Sequence, residues 1–198
     1  MINPLAFFDC LSTLNHLEKT TAKLLKEEIQ IFTYLACLLF LYDKKKPVSD
    51  WGYFYAGTQE GAPFSLEIND AVDQLFLVGL VEKESDYYQI SAKGVSEYQL
   101  LSTLSQNLER DRFIDGACSS RLMFPIGFVR EAISNEPELK HVKDLVNKKM
   151  LLEGPGIKII YEQFAALNSI IGSEVKSLMV PASIWLNYLF DIQVIENP

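Results

Sequence analysis

The stretch GLVEKESDYYQISAKG, residues 79–94, decides how this chain is read. Leu80-Val81-Glu82-Lys83 and Tyr87-Tyr88-Gln89-Ile90 read as two short alternating runs joined by a Ser-Asp turn, the pattern of a two-stranded hairpin. Ser91 then stands where a hydroxyl oxygen can accept an orphan N–H and start a helix. That helix is predicted from Ala92 to about Gln106, with Val95, Tyr98, Leu101 and Leu104 along one side.

Working back from the hairpin, Ser65 is a plausible N-cap and Glu67 an acid in the first turn of a helix running to about Val78. At about 100° per residue, Ile68, Val72, Leu75, Phe76 and Gly79 fall on one arc, predicted to face the core. Asp70, Asp73, Gln74 and Leu77 fall on the opposite arc. Further upstream, PVSDWGYFYAGTQEGAPF (47–64) mixes glycine, proline and aromatic residues and reads as a compact turn region pinned by aromatic packing. Before it, a long helix is predicted from about Lys23 to Asp43, and a first one from about Leu5 to Lys19.

Downstream the pattern stays helical. Helices are predicted over Asn107–Met123, Gly127–Ser134, Glu138–Met150 and Pro155–Ile171, with a last one starting at Pro181 and ending near Ile192.

Helix, turn region, helix, hairpin, helix is the element order of a winged-helix domain. The phrase at 79–94 resembles the hairpin of winged-helix regulators: a glycine ends the recognition helix, a tyrosine pair leads the second strand, and a small hydroxyl residue precedes Lys-Gly. The expected fold is therefore mainly α, a winged helix-turn-helix with a two-stranded β wing, an N-terminal helix and an appended C-terminal helical region. Residues 1–107 would form the N-terminal helix and winged-helix domain, and residues 108–198 a helical region packed on it.

Composition narrows the function. At 198 residues and 48% hydrophobic, the chain can bury a sizeable core. A net charge of −8 repels phosphate backbones, so strong nucleic-acid binding by the chain alone would need a basic patch, and none is evident. Lys44-Lys45-Lys46 reads as the cationic end of a helix. Cys10, Cys37 and Cys118 form no CxxC pair and leave an odd count, which fits a reducing cytoplasm. The N-terminus carries Asp9 where a secretory signal would be apolar, and the run Ile31–Tyr42 is well short of the roughly 20 residues that span a bilayer. No membrane association is expected.

The predicted recognition helix is the most informative segment. A groove-reading helix needs Arg, Lys, Asn or Gln on its outward face. Here Glu67, Asp70 and Asp73 stand without any Lys or Arg between Ser65 and Leu80. Asp70, Asp73, Gln74 and Leu77 are instead candidates for a protein-docking face, set against the plainer reading of a solvated acidic surface. Trp51, Tyr53, Phe54 and Tyr55 are either a second docking patch or part of the core; Trp51 and Tyr53 are carried as partner-binding candidates.

Catalysis has little support: GxxxxGK[ST], HExxH and GxSxG are all missing. Cys118 with His141 is the one nucleophile and base pairing on offer, against a structural buried cysteine. Asp70 and Asp73 have i, i+3 spacing but no further ligands, so neither metal nor cofactor is expected.

FTYLACLLFLYDKKKPVSDWGY (32–53), YYQISAKG (87–94) and VPASIWLNYLF (180–190) give the chain a layout similar to the accessory subunits of prokaryotic SMC and ABC-type ATPases. It looks like the middle-component proteins of ABC three-component conflict systems and the small third subunit of Lamassu-type antiphage systems. That resemblance implies a non-catalytic adaptor in antiphage or anti-plasmid defence, binding the ATPase subunit and an effector protein. The competing readings are a DNA-binding transcription regulator, resting on the fold alone, and an enzyme of unrecognised type. Homodimer formation is also expected from the apolar N- and C-terminal helices.

Overall fold

The computed structural model describes residues 2–143, 149–154, 156–172 and 175–196. The chain is mainly helical with a small antiparallel sheet. Helix α1 spans Pro4–Leu17. Proline suits its first turn, where no N–H partner is needed, and the Asn3 side chain accepts hydrogen bonds from Leu5 N at 2.9 Å and Ala6 N at 3.3 Å. A two-residue strand β1, Leu24–Leu25, leads into helix α2, Lys26–Lys44. Glu28 reaches back to accept from Leu25 N at 2.8 Å, and Lys45 ends the helix in a left-handed conformation.

Every residue of α2 from Glu28 to Tyr42 is buried. Helices pack on all its sides, which is why its sequence is apolar almost all round instead of along one stripe. A 3-10 turn, Val48–Trp51, follows. Two short strands, β2 (Ala56–Gly57) and β3 (Pro63–Phe64), then pair antiparallel inside what reads in the sequence as turn.

Helix α3 is Leu66–Leu77. Its entry is fixed by Gln30 of α2, whose amide donates to Ser65 O and accepts from Ser65 N, both at 2.9 Å. Ile68, Val72 and Leu75 are buried, as the spacing predicts, and Ala71 is buried with them. Phe76 is a correction: it is 46% exposed, and Gly79 is exposed too, because α3 ends at Leu77 and Gly79 turns the chain away with φ +73°.

The hairpin falls where expected, with β4 at Val81–Glu84 and β5 at Tyr87–Ile90. Strand β1 adds to its far side, Leu24 pairing with Tyr88, so the sheet order is β1-β5-β4. Ser91 caps α4, Ala92–Leu101, accepting from Gly94 N at 3.0 Å. Gly94 lies so close to the chain entering β4 that a Cβ there would come within 2.1 Å of Leu80 O.

Helix α4 stops earlier than its periodicity suggests, and α5 runs from Ser105 to Ser119. A 3-10 turn (Ser120–Leu122), α6 (Ile126–Ser134), α7 (Pro137–Lys143), α8 (Ile157–Ile171) and α9 (Met179–Glu196) complete the chain. The helix expected over Glu138–Met150 does not reach its end: residues 144–148 lie outside the described residues, and Met150 forms a β-bridge with Ala56. The predicted start of α8 at Pro155 also lies outside them. One continuous core takes side chains from Ala6 of α1 to Leu189 of α9, with α5 packed on α1 and α2. Among the described residues, no helix is long and apolar enough to cross a membrane.

Candidate functional site

Helix α3 and the hairpin after it form one outward face. Positions 70, 73, 74 and 77 recur at i, i+3, i+4 and i+7, so the helix sets Asp70, Asp73, Gln74 and Leu77 on one side, as their spacing predicts. Leu77 is 75% exposed and Leu66, one turn before Asp70, is 60% exposed. Phe76 and Val78, beside Leu77 in sequence, are exposed, as is Tyr87 of β5. Burying Leu66 and Leu77 against a partner would recover about 1.5–3 kcal/mol for each side chain.

The acids of this face are not equally free. Asp73 accepts from Lys26 Nζ at 2.7 Å, and the same ammonium donates to Asn69 Oδ1 at 2.9 Å. Lys23 likewise pairs with Glu84, and its cation holds the Glu84 carboxyl below its usual range. Glu82 accepts from Gln89 at 2.9 Å, and Asp70 accepts from Asn69 at 3.3 Å. Lys93 donates to Val78 O at 2.9 Å and so covers the carbonyl end of α3. The lysines therefore come from α2, α4 and the segment before β1, while α3 itself carries none.

Trp51 and Tyr53 are corrections as partner-binding residues. Both are 1% exposed. Their segment folds inward over α2 and α5, where Arg110 lies 3.7 Å from the Trp51 ring centroid and donates to Trp51 O at 2.7 Å. Tyr53 donates to Asp9 at 2.5 Å. Asp9 itself takes a two-point bond from Arg110. Burial pushes the Tyr53 and Tyr55 hydroxyls well above the ordinary phenol range. These groups hold the aromatic segment to α1 and α5 and touch no open surface.

Cys118 is 3% exposed and its thiol is pushed up by burial, which removes the thiolate that attack requires. His141 is exposed, and no hydrogen bond joins the two among the described residues. Asp73, one of the two aspartates weighed as a metal pair, is held by Lys26. Among the described residues no group of three or more His, Cys, Asp or Glu is placed to hold a metal ion.

Sequence reading missed the apolar tip at Phe76 and Val78, since both follow the core arc until the helix ends. It also missed the Asp9–Arg110 pair, because α1 and α5 are distant in the chain. Asp9 inside an apolar helix was the available signal. Comparison of the chain with protein-family models, with curated proteins and with solved structures found no match.

Proposed function

We propose that this chain is a non-catalytic adaptor whose α3 and hairpin form a winged helix-turn-helix turned to protein binding. The winged-helix reading is supported by a three-helix order completed by a hairpin, with a short strand before α2 pairing antiparallel to the second hairpin strand. The observation that carries the functional reading is the character of α3. It exposes Leu66, Phe76 and Leu77 among Asp70 and Asp73, and offers no cation where a duplex-reading helix needs one.

The partner is a protein with an apolar contact for Leu77 and basic side chains for Asp70. From the layout resemblance, it is an SMC- or ABC-type ATPase subunit, with an effector protein as the second partner. Co-expression of the tagged chain with an ATPase encoded beside it tests this. A complex on size exclusion that is lost in Leu77→Asp supports the reading, and a chain that never joins such an ATPase removes it. A mobility shift at moderate salt tests the DNA-binding regulator: sequence-specific nanomolar binding would replace the adaptor reading.

A further inference from the structure

A cavity of about 680 Å³ opens where the C-terminal end of α2, the middle of α5, the last turn of α8 and the segment leading into α9 meet. Its size lies within the range of small-molecule sites. Three cations line it, each from a different element: Lys45 after α2, Arg112 on α5 and Lys176 before α9. Among the described lining residues Asp43 is the acid, and Asn168 adds an amide.

Two features separate this cavity from an ordinary solvated surface. The first is local charge. In a chain with 26 acids against 18 lysines and arginines, the described lining sets three cations against one acid. The second is preorganisation. Arg112 Nη2 donates to Asp43 Oδ1 at 2.9 Å, which fixes the guanidinium and pairs Asp43 with a cation. The Nε and Nη1 groups of Arg112 donate to nothing among the described residues, and a planar guanidinium edge matches a tetrahedral oxyanion.

Like charges gathered in a concavity repel one another, and the low-dielectric walls focus their field on whatever enters. A multiply charged oxyanion offsets that repulsion. Tyr42, Leu178 and Pro181 add apolar surface to the lining for a less polar remainder. We infer that the cavity between α2, α5 and the segment before α9 binds a small phosphomonoester, its phosphate held by Lys45, Arg112 and Lys176. This is independent of the α3 docking face.

The test is an amide NMR titration of the whole chain at low ionic strength with AMP, inorganic phosphate and adenosine. Saturable shifts at Gly172 and Lys176 with AMP and phosphate, and none with adenosine, are expected. Lys45→Gln/Lys176→Gln is expected to weaken AMP about tenfold or more, whereas Lys19→Gln/Lys83→Gln, an equal charge change at exposed sites elsewhere, changes it less than about twofold. All four lysines are exposed or part-exposed, so both variants fold. No saturable shift with AMP, equal binding of adenosine, or equal loss in the control variant would overturn the assignment.

Discussion

Arg110 and Asp9 form a bidentate ion pair inside the protein, Nε to Oδ1 at 2.5 Å and Nη2 to Oδ2 at 2.6 Å, with the carboxylate wholly shielded from solvent. The pair ties α1 to α5, and the remaining Arg110 donor and Tyr53 tie both to the aromatic segment after α2. Removing one partner strands the other. Arg110→Met is therefore expected to cost about 3–5 kcal/mol in urea unfolding, and Asp9→Asn/Arg110→Met clearly less. Additive losses in the double variant would show that the two groups are not coupled.

Glu136, buried before α7, accepts from Glu138 N at 3.0 Å and Leu139 N at 2.9 Å. Burial nonetheless pushes its carboxyl up from 4.5 to about 7. The folded protein thus holds this proton more tightly than the unfolded chain does. Its contribution is fully present below about pH 4.5 and is lost as pH rises through 7, roughly 3 kcal/mol across that window. Wild type minus Glu136→Gln stability, measured from pH 4.5 to 8, should fall by that order. A flat difference would contradict the raised value.

Gly94 is predicted to tolerate no side chain. Alanine would gain up to about 1 kcal/mol of helix propensity in α4. Its Cβ, however, meets the backbone at Leu80 O within 2.1 Å, and backbone cannot swing aside as a side chain can. Overpacking of this kind costs about 1–3 kcal/mol, so Gly94→Ala should lower the thermal midpoint. An unchanged midpoint would mean that the hairpin does not rest on α4 so closely.

Leu77→Asp, central to the docking test, is expected to leave folding stability within about 0.5 kcal/mol, since the side chain contributes little to the core. Asp73→Ala should behave similarly, because an exposed bridge such as Lys26–Asp73 contributes about 0–1 kcal/mol. If Leu77→Asp unfolds the chain, the α3 face is structural.

The hairpin, its flanking helices and the outward arc of α3 were legible because each depends on local spacing or a local cap: alternation at 80–90, Ser91, and the recurrence of Asp70, Asp73, Gln74 and Leu77. Strand β1 was not, since two residues carry no period and their partner lies far along the chain. Trp51 and Tyr53 show the same limit. An aromatic run suits an interface and a core equally well until a buried charge, here Arg110, gives one side chain a reason to face inward.

The amino-acid sequence by itself determined the helices, the hairpin and the acidic character of the third helix, because short-range periodicity and fixed charge do not depend on neighbours in space. Tertiary structure alone decided which apolar residues stayed outside, which lysines neutralised Asp73 and Glu84, and that Lys45, Arg112 and Lys176 share a cavity. Those outcomes depend on where distant segments meet, and packing sets that.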